Sequence, residues 1–241
     1  MRVALTAAAL AAAACTATTG DPTSAVTGAP DAARAQATYA FESMSRTGSA
    51  DGTFEVRVQG SADLANERSE SLVTIGEDRC RLLRDRTFLY ATVPGDLRED
   101  HDEKAWTESV RSAADPLANE VVVLDRLREA SDAPQVGDGA VRGTRTTRYR
   151  ATVPTADLVS ATLLPDGVAT GELEPTLAVD AWIDTAGLPW RLVWEWELGP
   201  VTHLTTVEYF DHGEPVEVEF PAEEDTDEVD GSEEAVAVCL A

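Results

Sequence analysis

Apolar and polar residues alternate along the stretch 188–198. One parity is entirely apolar and carries much of the chain's tryptophan: Leu188, Trp190, Leu192, Trp194, Trp196 and Leu198. The other parity is mostly charged, with Arg191, Glu195 and Glu197. Alternation with a period of two is typical of a strand that has one buried and one solvated face. We therefore predict a strand here, with its tryptophan face in the core.

Turn signals on both sides give this strand two antiparallel neighbours. Gly187 closes a polar loop after the run 176–183, and Gly199-Pro200 suits a two-residue turn before the run 201–210. The predicted cross-strand pairs are Ile183 with Leu188, Ala181 with Trp190, Val179 with Leu192, Leu177 with Trp194, Leu198 with Val201, Leu192 with Val207, and Trp190 with Tyr209. On the outer face the same registers place Arg191 between Asp180 and Glu208.

The rest of the chain reads as a mixed α+β fold built on a meandering antiparallel sheet. Short alternating segments predict further strands at 38–46, 53–59, 71–75, 78–83, 87–93 and 144–153. Asp115-Pro116 is a good helix start, and helical spacing continues to about residue 130. A second helix is predicted at 154–164, and Asp31 is expected to cap a short alanine-rich helix that ends near residue 37.

The N-terminus has the pattern of an export signal. Met1-Arg2 precedes the apolar run 3–14, which is too short to span a membrane and is followed by Cys15. Residues 12–15 resemble the lipobox of bacterial lipoproteins, where the cysteine thiol receives a diacylglyceryl group, with acyl chains such as palmitate, and the peptide is then cut just before it. We expect residues 1–14 to be removed and Cys15 to anchor the protein at the extracytoplasmic face of the cell membrane. Ordinary secretion with an incidental cysteine is the alternative.

Composition and charge limit the partners and the domain count. The chain has 241 residues, of which 43% are hydrophobic, and a formal charge of −25. That charge disfavours nucleic acid and adsorption to anionic lipid by charge alone. We expect one monomeric domain at 32–221, preceded by a flexible tether at 15–31 rich in Thr, Ala, Gly and Pro. The segment 222–241 holds no basic residue and is expected to be a largely disordered acidic tail.

Two cysteines remain once Cys15 is lipidated. Free thiols do not persist readily in an oxidising exported compartment, so we expect a disulfide between Cys80 and Cys239. Such a bond would hold the apolar C-terminal end against the sheet. Two unpaired, buried cysteines are the competing interpretation.

The sequence contains no recognisable catalytic motif. Zinc-ligand spacing, a phosphate-binding loop, a nucleophile elbow and a Cys–His arrangement are all absent, so we predict no catalytic residue, metal or cofactor. The acidic loop 98–103 does not match a calcium-binding loop and is expected to be solvated. His203 is expected to be a polar residue at a sheet edge or cavity mouth, and His212 a turn residue.

Four stretches resemble a family of actinobacterial lipoproteins of the LppX/LprG type. They are Gly143 with Tyr149, the turn 181–189, the segment 210–216, and Trp106, and the resemblance covers roughly 35–221. It implies a LolA-like half-barrel, a curved antiparallel sheet of about ten strands with two or three helices over its concave face. Members with known roles hold acylated lipids or glycolipids between sheet and helices and move them through the cell envelope.

The resemblance gives the tryptophan face a function as the wall of a lipid cavity. The residues expected to line it are Val179, Trp190, Leu192, Trp194, Trp196, Val207 and Tyr209. The alternative is a filled core packed by the helices, in an anchored, non-enzymatic sensor or protein-binding module.

Overall fold

The computed structural model describes residues 21–50, 52–110, 119–155 and 174–240. Within these ranges the strands are β1 Thr38–Ser49, β2 Gly52–Asp63, β3 Arg68–Ile75, β4 Asp78–Arg84, β5 Phe88–Thr92, β6 Trp106–Val110, β7 Gln135–Val141, β8 Thr144–Pro154, β9 Thr176–Ile183, β10 Pro189–Leu198, β11 Val201–Phe210 and β12 Thr226–Glu228. The α-helices are α1 Pro22–Gln36, α2 Asn119–Arg126 and α3 Ser232–Cys239. Short 3₁₀ helices occur at Arg98–His101, Leu127–Glu129 and Glu223–Asp225.

All of the described strands belong to one 12-stranded sheet, in the order β12-β6-β5-β4-β3-β2-β1-β11-β10-β9-β8-β7. Neighbouring strands are antiparallel, except that β12 runs parallel to β6. The pairing of β1 with β11 joins a first meander, β1 to β6, to a second, β7 to β11. The predicted α+β antiparallel meander is therefore confirmed. The predicted strands omitted β6, the glycine-rich β7 and the three-residue β12, because none of them alternates over a long enough stretch.

One face of the sheet, called the inner face below, packs against the helices. Its buried residues join those of the helices in a single apolar cluster. From α1 the cluster takes Val26, Ala29 and Ala33, and from α3 it takes Ala235 and Val236. This arrangement is the predicted half-barrel with helices over one face. No helix among the described ranges is long and apolar enough to cross a membrane.

The predicted tether ends earlier than its assigned boundary, because residues 22–31 belong to α1. The Asp21 side chain caps this helix by accepting a hydrogen bond from the Thr23 N–H at 3.2 Å, and Pro22 occupies the first helical position. The spacing of Val26, Ala29 and Ala33 then gives the helix a buried stripe. The prediction of a helix capped by Asp31 was wrong, because α1 starts at Pro22 and continues through Pro30.

The predicted disorder of the tail 222–241 was also wrong. Residues 223–239 form a 3₁₀ turn, β12 and α3, and α3 packs against β4, β5 and β6. The structure contains the expected disulfide between Cys80 on β4 and Cys239 at the end of α3. Burial of Ala235 and Val236 together with this cross-link offsets the repulsion among the acidic side chains.

The two predicted helices are only partly visible in the described residues. Residues 119–129 are helical, as predicted, but the predicted start at Asp115-Pro116 lies outside the described ranges. Of the predicted helix 154–164, Pro154 ends β8, and everything after Thr155 lies outside them.

The register of the meander is confirmed on one side and wrong on the other. β10 and β11 pair as predicted, with Leu192 opposite Val207. Between β9 and β10, however, Leu192 faces Ala181 rather than Val179, a shift of two residues. One residue of this shift arises at the turn, where Pro189 rather than Leu188 faces Ile183. The second arises at an irregularity between Pro189 and Arg191, which places Trp190 in a bulge.

The shifted register also changes the predicted charge group on the outer face. The Arg191 guanidinium donates to Glu208 as expected, with its Nε 2.9 Å from Glu208 Oε1. Asp180 is no longer beside Arg191. It accepts instead from Arg150, at 3.0 Å, and from Arg148. These two hydrogen bonds hold the pKa of Asp180 below its usual value against the opposing effect of burial, which is the largest single contribution.

Candidate functional site

The candidate site is the part of the inner face where β9, β10, β11 and β1 lie side by side. β10 contributes Leu192, Trp194 and Trp196, which alternate with outward-facing residues. Trp194 faces Val179 on β9 and Thr205 on β11. Trp194 and Trp196 are each 3% exposed, so this row is buried.

Most of the residues predicted to line a lipid cavity come together here. Val179, Leu192, Trp194, Trp196, Val207 and Tyr209 all belong to the one buried cluster. Trp190 does not join them: it lies in the bulge, and its indole N–H donates to the Asp184 carboxylate at 3.0 Å. Its ring also contacts His212 edge-on, with the ring centroids 5.4 Å apart. Trp190 is therefore a residue of the β9–β10 turn region, not of the inner row.

A cluster of three aromatic rings lies on the inner face at the start of β1. The rings of Tyr39 and Tyr209 meet edge to face, with centroids 5.3 Å apart, and Phe41 lies beside Tyr39 at 6.2 Å. Gly60 on β2 makes room for Phe41, since a Cβ at that position would lie 2.7 Å from the phenyl ring. This end of the inner face is apolar and tightly packed.

Toward the other end of the same strands the inner face becomes polar. Four side chains form a hydrogen-bonded chain, called the polar cluster below: Thr47, His203, Thr205 and Ser45. Thr47 Oγ1 lies 2.8 Å from His203 Nδ1, and His203 Nε2 lies 2.7 Å from Thr205 Oγ1. Thr205 Oγ1 is in turn 2.9 Å from Ser45 Oγ. The imidazole also stacks on the Trp196 indole, with ring centroids 4.8 Å apart.

The sequence identified only His203 from this cluster, and it placed that residue on the tryptophan face at a sheet edge or cavity mouth. The structure buries His203 to 2% exposure. A usable signal was present, because hydroxyl residues occupy the buried parity of β1 and β11 at 45, 47 and 205. The signal could be read only after the pairing of these two strands, which are distant in the chain, was known.

Burial determines the charge of His203. Desolvation lowers its pKa from 6.5 to about 4, so the ring is neutral near neutral pH. A neutral imidazole has one donor and one acceptor nitrogen, and the hydroxyls of Thr47 and Thr205 satisfy both. The polar cluster is therefore uncharged.

Two donors beside this cluster lack acceptors. Within the described part of the chain, the indole N–H groups of Trp194 and Trp196 are buried and have no hydrogen-bond partner. Buried polar groups are paired in the great majority of cases, so two unpaired donors on adjacent inward positions of one strand are unusual.

Three clefts formed by described residues lie mostly on the outer side of the sheet, and one of them reaches Trp196 and His203. Their volumes are about 600, 290 and 270 Å³. Most of their lining residues have the outward parity of their strands, among them Arg46, Glu55, Arg57, Glu195 and Glu208. The described residues include no group of three or more His, Cys, Asp or Glu side chains arranged to hold a metal ion. His212 is in the turn after β11, as predicted, and its Nε2–H donates to the Pro189 carbonyl oxygen at 3.0 Å.

Two solved mycobacterial structures have a similar fold. LprF from Mycobacterium bovis aligns over 84% of this chain and 100% of its own, with a TM-score of 0.53 and 12% sequence identity. The Mycobacterium tuberculosis lipoprotein LppX aligns over 82% of this chain and 97% of its own, with a TM-score of 0.50 and 18% identity. A looser match is the LolA superfamily protein NE2245 from Nitrosomonas europaea, with a TM-score of 0.28.

The chain therefore has the fold of LprF and LppX, and the fold expected from the sequence resemblance is confirmed. At this level of identity the likeness concerns the fold alone. No protein-family model matches the chain, and no curated protein matches it in sequence.

Proposed function

We propose that this protein is a membrane-anchored lipoprotein of the cell envelope that binds an acylated lipid or glycolipid between its sheet and its helices. The observation that carries the proposal is the inner row of Val179, Leu192, Trp194, Trp196 and Val207. It is a broad apolar surface covered by separate helices rather than by a second sheet. Helices can move away from a sheet without breaking its hydrogen bonds, so a ligand can enter between the two layers.

The fold supports this proposal, because LppX is a lipoprotein of the same architecture. The protein has no proposed catalytic role: it binds and carries its ligand without changing it. A monomer is sufficient, since the whole sheet and its helical cover come from one chain.

Cys15 is the proposed attachment point for the acyl chains. α1 is capped by Asp21, so only residues 16–20 separate the anchor from the folded domain. At about 3.5 Å per residue, an extended chain from Cys15 to Asp21 reaches about 20 Å. The domain is therefore held close to the outer surface of the membrane, where it can take up a lipid directly. Replacement of Cys15 by Ser should release the protein from washed membranes, and full retention would contradict the anchor.

Mass spectrometry of an organic extract of the purified protein tests ligand binding directly. We expect an acylated lipid to co-purify in near-stoichiometric amount and a fluorescent lipid to be taken up after delipidation. A protein without the Cys15 acyl chains, made by the Cys15→Ser change, must be used so that bound and covalent lipid are not confused. Absence of both signals would exclude the carrier.

The near-complete burial of the inner row favours a second candidate, a closed module that binds a protein through its outer face. Leu192 is 0% exposed and Trp194 and Trp196 are 3% exposed in the same cluster as α1 and α3. In that case the extract contains no lipid, and fluorescent lipid is not taken up under any condition that preserves the fold.

A further inference from the structure

The two unpaired indole donors define where a bound lipid would place its polar atoms. Trp194 and Trp196 project from the same face of β10, two residues apart, which corresponds to about 7 Å along a strand. Both side chains are 3% exposed, and neither indole N–H has an acceptor among the described residues. A buried donor without an acceptor is destabilising, and the deficit disappears when a ligand supplies the acceptor.

The neighbouring polar side chains hydrogen-bond to one another and not to the indoles. Thr205, across from Trp194, has its hydroxyl between His203 Nε2 and Ser45 Oγ. His203, across from Trp196, uses both ring nitrogens on Thr47 and Thr205. The described helix residues that cover the inner face, such as Val26, Ala29 and Leu127, are apolar and offer no side-chain acceptor. Among the residues that the structure describes, the two indoles therefore have no acceptor, and a bound ligand can supply one.

We propose that Trp194 and Trp196 donate hydrogen bonds to the ester carbonyl oxygens of the acylated lipid, one donor for each carbonyl of a diacyl ligand. This inference rests on the proposed function and names the chemical group that the site recognises. The acyl chains then lie along the apolar part of the inner row, which Val179, Leu192 and Val207 form.

The charge of the site selects an ester over a free fatty acid. The polar cluster is neutral, because burial keeps His203 unprotonated near neutral pH. Burial of a carboxylate beside neutral groups is costly, whereas burial of an ester carbonyl that accepts one hydrogen bond is not. An ether-linked lipid has the same chains but no carbonyl, and its ether oxygens lie within the chain rather than projecting from it, so it pairs the indole donors less well.

The test compares ester and ether lipids on the delipidated, full-length Cys15→Ser protein. Dioleoylglycerol and its di-O-oleyl ether analogue compete against a fluorescent lipid. We expect the ester to bind about tenfold more tightly, and the Trp194→Phe/Trp196→Phe double variant to reduce this preference to about twofold or less. The Trp182→Phe variant is the matched control, because Trp182 is on the outer face between Arg148 and Arg191 and should leave the preference unchanged.

A second measurement does not depend on the variants folding. In the protein labelled with ¹⁵N at tryptophan, the ester should shift two indole N–H resonances downfield and the ether should shift them less. Equal binding of ester and ether by the unsubstituted protein, or a preference that survives in a folded double variant, overturns the inference but leaves the proposed function intact. Failure of both lipids to compete and to shift any resonance contradicts the proposed function itself.

Discussion

Cys80 on the inner face of β4 is bonded to Cys239, the last residue of α3, across 159 residues of sequence. The bond holds a helix from an acidic, lysine- and arginine-free segment onto the apolar inner face. α3 is short, at eight residues, and its N-cap residue Gly231 provides no side-chain hydrogen bond. Isolated helices of this length are marginal in water, so its order depends on packing and on the cross-link.

Removal of this disulfide should destabilise the whole domain. The Cys80→Ala/Cys239→Ala variant is expected to lose about 2–5 kcal/mol of unfolding free energy, because the cross-link restricts the unfolded chain over a long loop. Urea unfolding followed by tryptophan fluorescence measures the change. Reduction of the unsubstituted protein should reproduce most of it. An unchanged midpoint in both experiments would show that α3 is held by packing alone.

His203 should make stability depend on pH below neutrality. Burial lowers its pKa from 6.5 in the unfolded chain to about 4 in the folded protein. Between these values the unfolded state binds more protons, so stability is complete above about pH 6.5 and is lost as the pH falls toward 4. The loss from this group is on the order of 2 kcal/mol at pH 5, relative to pH 7. Thermal or urea unfolding at a series of pH values measures it.

The His203→Gln variant supplies the control for this pH dependence. Glutamine retains a donor and an acceptor for Thr47 and Thr205 but does not titrate. His212, whose pKa burial also lowers, stays in both proteins and contributes the same background. The variant should therefore show a shallower fall in stability between pH 7 and pH 5. Parallel curves for the two proteins would refute the assignment.

The sequence predicted the central meander well, because the alternation and turn signals that specify it are local in the chain. The alternation of β10 and the Gly199-Pro200 turn are sufficient to pair Leu192 with Val207. Six of the seven proposed cavity residues lie in the buried cluster, and Trp190 is the exception. What the alternation cannot reveal is a bulge, because the sequence around Trp190 keeps an unbroken apolar parity.

The polar cluster and the two ends of the fold depend on distant contacts. Ser45 meets Thr205 only because β1, near the start of the domain, pairs with β11, near its end. The acidic composition of the tail favours disorder, but the prediction that the tail is disordered was wrong. A single buried side of α3 and its bond to Cys80 reverse that tendency.

The bulge at Trp190 can be tested through Asp184. The Asp184 Oδ1 atom accepts from the backbone N–H groups of Ala186 and Leu188, at 2.8 and 2.9 Å, and Oδ2 accepts from the Trp190 indole. Asp184→Ala removes all of these acceptors and should cost about 2–3 kcal/mol of unfolding free energy. Asp184→Asn can keep the two backbone hydrogen bonds and should cost about 1 kcal/mol, from the indole bond alone.

These two variants distinguish the observed register from the one that simple alternation predicts. If Trp190 pointed into the inner row, its indole could not reach Asp184, and the change to Asn would have no effect on the Trp190 N–H resonance. In the observed structure that resonance moves in both variants. Equal stability of Asp184→Asn and the unsubstituted protein, together with an unmoved resonance, would rule out the bulge.

The N-terminal boundary of the domain should lie at Asp21, not at residue 32. Val26 and Ala29 are both 0% exposed in α1, so a chain that begins at Ala32 loses this buried surface and leaves part of the inner face uncovered. The remaining residues 32–36 are too few to form a stable helix by themselves.

A chain that begins at Asp21 should match the stability of the mature protein, because it keeps the Asp21 cap and every buried residue of α1. The chain that begins at Ala32 should be less stable by about 3 kcal/mol or more, since burial of one valine alone contributes about 1.5–3 kcal/mol. It should also bind a fluorescent reporter of exposed apolar surface. Urea unfolding of the two chains side by side measures the difference. Equal stability of the two chains would show that residues 22–31 belong to the tether and not to the folded domain.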